Sequence, residues 1–292
     1  MDVVNQLVSG ASIGAVLLLI ALGLTFTFGQ MGVINMAHGE FIMAGAFTAY
    51  MLQGVVGSQL YVLAAIPLAF GVAGLMGLAL ERSVIRFFYG RPLDTLLLTW
   101  GVSLILQQLA KDIFGAPNVQ MKAPSWLEGN LTLGPVILPY NRMFILALAI
   151  GCVVAAWAYQ SKLPHGRRMR AVMQNRQLAS VSGVNISRVD QLTFFIGSGL
   201  AGVAGVAITL IGSVGFNIGT KYIVDAFLVV VAGGLGQLRG AVIAAFALGV
   251  LNSFMEEWTN ASSAKVVVFA VIVAFLQFRP QGLVVLRSRG LT

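Results

Sequence analysis

Eight apolar runs, each long enough to cross a lipid bilayer, dominate this chain. They lie at about 6–30, 39–57, 60–86, 93–114, 141–160, 190–212, 239–258 and 264–286. About 20 apolar residues in a helix span the hydrocarbon core. A ninth run, at about 222–237, is too short to cross and reads as a half-helix. So many apolar segments cannot be covered by polar surface in water. Only 10% of the 292 residues are charged, against roughly 25% in soluble domains. The expected fold is an all-α polytopic membrane protein of about 8–9 transmembrane or half-membrane helices, forming one domain over 1–292. The first residues carry Asp2 and no basic leader, so the first run is expected to stay in the mature chain. The single cysteine, Cys152, lies inside an apolar run. It reads as a small buried side chain and allows no disulfide framework.

The net charge of +8 would suit a nucleic acid, but its distribution argues for a membrane surface instead. Basic residues form blocks: Arg82, Arg86 and Arg91; then Lys162, Arg167, Arg168, Arg170, Arg176 and Arg188; then Arg239; then Arg279, Arg287 and Arg289. Lys111, Lys122, Arg142, Lys221 and Lys265 fall on the other side of a nine-crossing arrangement, with Asp2, Asp112, Glu128, Asp225, Glu256 and Glu257. The positive-inside rule then places the N-terminus outside and the C-terminus in the cytoplasm. The long outer segment 115–140, with its prolines and Trp126, is expected to form an ordered cap.

The runs divide into two halves, 6–114 and 190–286, joined by a linking span at 141–160 and an inner loop at 161–189. An offset of five crossings makes the halves enter the membrane in opposite senses. Each half breaks after its first run, at "GQMGVINMAHGEF" and at "GSVGFNIGTKY". Matching breaks in inverted halves point to a solute path, because irregular backbone at membrane depth must be buried in protein or line a cavity.

The first break holds Asn35, His38 and Glu40. On a helix His38 and Glu40 point about 200° apart and cannot act as a pair. Their expected role is structural: Asn35 and His38 cap the broken ends, and Glu40 sits in a helix first turn favoured by the dipole. Contact with a solute and a proton relay are the alternatives. The only other histidine, His165, lies in a basic loop, so no metal is expected. Thr95, Thr99, Trp100, Ser103, Gln107 and Gln108 put polar groups along the fourth run, as glue between helices or as a solute lining. The glycines of "AGGLGQLRG" (232–240) read as close helix packing rather than a nucleotide motif.

The inner loop predicts a helix over about 167–182, stopped by Gly183 in a left-handed conformation. Ser187 with Asp190 reads as a capping box for the next span. Such a helix suits the docking of a cytosolic partner, with lipid head groups as the weaker reading. No Walker motif occurs, so the chain is not expected to hydrolyse ATP, and energy must come from a partner or an ion gradient. No cofactor is expected.

At this point "GLTFTFGQMGVINMAHGEFIMAGAF" resembles the "N-x-A/S-H-G-E" signature of permeases of the branched-chain amino acid and urea ABC importers. "GRPLDTLLLTWGVSLILQQLAKDIFGAPNVQ" is similar to the first urea permease subunit within that family. The resemblance covers essentially the whole chain. It implies a bacterial inner-membrane permease for urea, working as a heterodimer with a second permease, two cytosolic ATPase subunits and a periplasmic solute-binding protein. It implies ATPase coupling at Arg168, Arg170, Gln177, Ala179 and Gly183. Ala179 and Gly183 keep the family's Ala-x-x-x-Gly spacing, although the preceding acidic residue is absent. Urea is small, neutral and rich in hydrogen-bonding groups, so its path candidates are Asn35, His38, Glu40, Thr99, Gln107 and Asn217. Branched-chain amino-acid import is the nearest alternative. A stand-alone ion-coupled carrier or channel is the alternative of a different class.

Overall fold

The computed structural model describes residues 3–133 and 136–284. Asp2, Arg287 and Arg289, used above to orient the chain, lie outside the described residues. The helices run in chain order: α1 (Val3–Met31), α2 (His38–Val56), α3 (Tyr61–Ser83), α4 (Pro92–Phe114), α5 (Tyr140–Lys162), α6 (Pro164–Gln174), α7 (Arg176–Val181), α8 (Ile186–Thr209), α9 (Ile218–Gly233), α10 (Leu238–Trp258) and α11 (Ala261–Phe278).

Among the described residues seven helices are long and apolar enough to cross a membrane: α1, α3 with its short continuation to Phe87, α4, α5, α8, α10 and α11. The expectation of about eight to nine segments also counted α2 and α9. They have 19 and 16 residues, and each follows one of the two predicted breaks.

The chain is not purely helical. In the 115–140 segment strands β1 (Asn130–Leu133) and β2 (Val136–Pro139) form an antiparallel hairpin, with Leu131 opposite Leu138. Side chains before the hairpin tie the segment to the helices. The Trp126 indole N–H donates to the Gln59 carbonyl at 2.9 Å, and the Gln53 amide donates to the Lys122 carbonyl at 2.7 Å. Val119 pairs with Val214, which joins the cap to the second break. The cap precedes α5 and the basic loop follows it, so the two lie at opposite ends of that helix.

Helix packing has a reciprocal pattern. α1 runs antiparallel to α10: Ser253 donates to the Gln6 carbonyl, Gly10 faces Val250, Gly14 faces Phe246 and Gly29 faces Gly236. α8 runs antiparallel to α3: Gly77 faces Ser198, Gly199 faces Phe70 and Gly202 faces Ala69. Numbering each half from its first helix, these are the same contact made twice: first helix of one half on third helix of the other. α1 and α8 are the most buried spans, and α5 and α11 the least.

Missing side chains make this possible. A Cβ on Gly45 would enter the backbone of Gly202, and one on Gly205 would enter Ile42. α2 and α8 therefore touch backbone to backbone, as small residues allow in a bilayer. The expectation for 232–240 holds in the same way: Gly233 faces Gly240, and Gly236, at a φ of 73°, turns the chain against Gly29.

Candidate functional site

α1 ends where Gly32 takes a φ of 67° and its N–H bonds back to the Phe28 carbonyl at 3.0 Å. The chain does not leave the protein there. It folds back along α1, so that His38, the first residue of α2, lies against Ile20 and Gly23. Those residues precede the end of α1 by two to three turns, roughly 12–16 Å at 1.5 Å per residue. Asn35 and His38 have 0% exposure and Glu40 has 1%. The break is thus buried in protein, which is the condition for irregular backbone at membrane depth.

α4 satisfies this backbone. Thr95, Thr99, Ser103 and Gln107 recur every four residues and share one helix face. The Thr99 hydroxyl accepts from the Met36 N–H at 3.0 Å and donates to the Thr95 carbonyl at 2.7 Å. The Ser103 hydroxyl and the Gln107 amide each donate to Glu40 Oε1 at 2.8 Å. Trp100 and Gln108, grouped with this stripe from sequence, are not on it. Trp100 is exposed and Gln108 bonds Asp112.

Gln107 also reaches the second half, lying 3.1 Å from the Thr220 hydroxyl. Thr220 is the third residue of α9, as Glu40 is the third of α2. The preceding residues, Gly39 and Gly219, touch: a Cβ on either would overlap the other's carbonyl. The two helices that follow the two breaks therefore begin at one point, and one amide on α4 joins them. Sequence reading missed Thr220. Aligning "HGE" on "IGT" at the shared glycine finds it, whereas the alignment of Asn35 with Asn217 does not. Asn217 is the N-cap of α9, while Asn35 lies outside α2 by two residues.

The capping roles are corrected. The N-cap of α2 is Ala37, and no side chain caps it. Both amide atoms of Asn35 are buried without a hydrogen-bond partner. His38 Nε2 lies 3.4 Å from the Ile20 carbonyl and its ring meets Phe41 edge-on. It faces α1 while Glu40 faces α4, so the two do not pair, as their spacing requires. Glu40 does occupy the first turn of α2. On the cap side, a cavity of about 430 Å³ opens between α1, α9, α10 and α11. Val16, Leu17, Leu248 and Ile272 form apolar walls, and Arg142, Glu256 and a Lys265–Asp225 pair at 3.1 Å add charge.

The basic loop holds two helices rather than one. Asn175 breaks the expected helix and caps α7 by accepting from the Leu178 N–H at 2.9 Å. Gly183 ends α7 at a φ of 82°, and the Val184 N–H bonds to the Ala179 carbonyl at 3.0 Å. That is the left-handed stop the sequence predicts. Ala179 is buried, while Arg168, Gln177 and Gly183 are exposed and Arg170 donates to the Gln160 carbonyl. Ser187 and Asp190 form no capping box. Asn185 caps α8, accepting from the Arg188 N–H at 3.1 Å, and Asp190 is taken up by Arg176. Among the described residues no cluster of His, Cys, Asp and Glu suits a metal ion.

Broken polar backbone, buried between apolar spans and braced by a polar helix face, defines a multi-pass membrane permease. The family model described as the branched-chain amino acid transport system permease component matches residues 6–276, and the chain belongs to that family. The high-affinity branched-chain amino acid permease protein BraD of Pseudomonas aeruginosa is 30% identical, over 96% of this chain and 94% of its own length. The high-affinity branched-chain amino acid permease protein LivH of Escherichia coli is likewise 30% identical over 96% of this chain and 94% of its own. The ribose import permease protein RbsC of Escherichia coli is 25% identical, over 87% of this chain and 79% of its own.

Proposed function

We propose that this chain is one of two related permease subunits of an ATP-driven importer in a bacterial inner membrane. It works with two cytosolic ATPase subunits and a periplasmic solute-binding protein. The observation that carries this reading is the Glu40–Gln107–Thr220 bridge, where the helices after both breaks meet. The reciprocal contacts of α1 with α10 and α8 with α3 support two inverted halves. The chain is one permease domain, with a first half at 6–114, a linking span at 141–160, a coupling loop at 161–189 and a second half at 190–286. The N-terminus and the cap face outward, and the basic loop with the C-terminus faces the cytoplasm. Glu40, Gln107, Thr220 and Asn217 lie where solute passes, with Asn35, His38 and Thr99 holding the first break behind them. The 161–189 loop is the docking element. Leu178 and Val181 on α7 are 63% and 83% exposed, an apolar face a lone carrier would not need.

The first reading of the solute is a branched-chain amino acid, the solute for which BraD and LivH are named. The cap-side cavity supports it, combining apolar walls with charges of both signs, as an amino acid combines them. The ribose permease shows that similar chains carry names of unlike solutes. Urea is therefore a second reading, resting on the 90–120 stretch. Uptake of labelled leucine and labelled urea, in cells with and without this chain, separates the two. Leucine uptake lost and urea uptake intact is the expected result. The reverse pattern replaces the amino-acid reading with urea, and no effect on either sinks both.

A further inference from the structure

α7 is anchored to the transmembrane body by very little. It is six residues long, and Ala179 is its one buried side chain. Its first residue, Arg176, makes the remaining strong contact. The guanidinium donates to both carboxylate oxygens of Asp190 on α8, at 2.5 and 3.3 Å. The Asp190 side chain is 3% exposed, while the Arg176 side chain, at 40%, still reaches solvent. The same guanidinium lies 4.7 Å from the centre of the Tyr89 ring. Tyr89 in turn donates to Glu81 of α3 at 3.1 Å. Burial first, then the Asp190 and Glu81 carboxylates, push the Tyr89 phenol above its ordinary range. It therefore stays a protonated donor.

One side chain thus connects α7 to α8 directly and to α3 through Tyr89. α3 and α8 are the antiparallel pair joined along Gly77, Gly199 and Gly202. Gly202 and Gly205 of α8 then meet α2 backbone to backbone, and α2 begins with the residues that hold Glu40. A two-point guanidinium bond, stacked on a ring, transmits direction as well as force. A lysine ammonium would not. Because its two carboxylates, Glu81 and Asp190, are buried, this network has few alternative geometries.

We propose that Arg176 is the positioning residue that passes movement of the ATPase-docking helix to α8 and α3, and so to the break around Glu40. The inference rests on the importer reading above.

The test uses the complete importer, with R176A, R176K and D190N in this chain. Measured are co-purification of the ATPase subunits, basal ATP hydrolysis, solute-stimulated ATP hydrolysis and uptake. Expected for R176A and D190N are bound ATPase subunits, basal hydrolysis within twofold of wild type, and at least tenfold losses in stimulated hydrolysis and uptake. The double variant should lose no more than either single one, because both remove the same link. R176K keeps the charge and the fold but loses the two-point bond and the stacking, and should lose about three- to tenfold in uptake per ATP hydrolysed. Wild-type uptake per ATP in R176K overturns the proposal even if R176A fails to fold. Loss of ATPase co-purification in folded R176A also overturns it, since Arg176 would then be a docking contact. If the wild-type chain itself binds no ATPase subunit, the importer reading fails, and this proposal with it.

Discussion

Gly39 and Gly219, the second residues of α2 and α9, lie so close that a Cβ on either would overlap the carbonyl group of the other. These are equivalent positions in the two halves of the chain, and each lies just past a break. The contact lets Glu40 and Thr220, one residue on, share Gln107 of α4. The site therefore depends on an approach that only glycine permits.

Gly219→Ala is expected to cost about 1–3 kcal/mol through backbone displacement and to reduce uptake severely. Gly101→Ala on α4 meets nothing within 4 Å and should change stability by less than about 0.5 kcal/mol. Thermal unfolding of the two purified variants checks the contrast.

Glu40→Gln keeps a side-chain oxygen facing Ser103 and Gln107, and should retain most uptake. Glu40→Ala removes the acceptor of the buried Ser103 hydroxyl, at roughly 1–3 kcal/mol, and leaves the Gln107 amide with Thr220 but not Glu40; it should be clearly worse. Equal loss in both variants would mean that the negative charge itself is required, as in a proton relay. Uptake and thermal stability measured on the same preparations distinguish these outcomes.

Thr99→Val keeps the shape of the side chain but removes the acceptor of the Met36 N–H. The expected cost is about 1–3 kcal/mol, with faster amide exchange at Met36. Thr99→Ser should restore both, because it keeps the hydroxyl.

Leu178→Asp with Val181→Asp places charge on the exposed face of α7. The fold should be unaffected, since neither side chain is buried, while co-purification of the ATPase subunits should fall at least tenfold. Retained binding would move the docking surface elsewhere.

Much of the fold is legible in the sequence, because the bilayer imposes a length and a polarity on every segment. The seven spans, the helices α2 and α9 and the breaks before them coincide with runs of apolar residues interrupted by glycine and asparagine, although the run at 39–57, which reads from sequence as a full crossing, is not among the seven. The stop at Gly183 is equally local: a left-handed residue ends a helix whatever surrounds it. The hairpin in the outer segment was not expected, since four-residue strands leave little trace in so apolar a chain.

The partners of polar side chains were less legible. Periodicity shows that Thr95, Thr99, Ser103 and Gln107 share a face, but not what that face meets. Asp190 has the spacing of a capping box, yet the charge brought to it by Arg176 and the cap supplied by Asn185 outweigh that local option. Asn35 and His38 have side chains suited to capping, but the fold-back carries His38 away from the end of α1 to lie against Ile20 and Gly23, and neither side chain caps α2.

The sequence by itself thus determined a multi-pass helical membrane protein with two helix breaks and a basic loop, because those features depend on composition and on neighbours a few residues apart. Only the tertiary structure decided that the halves meet at Gly39 and Gly219, that Gln107 serves both, and that Arg176 belongs to Asp190. Those pairings span 180, 67 and 113, and 14 residues. They are set by which helices can approach closely enough to exclude everything but a glycine.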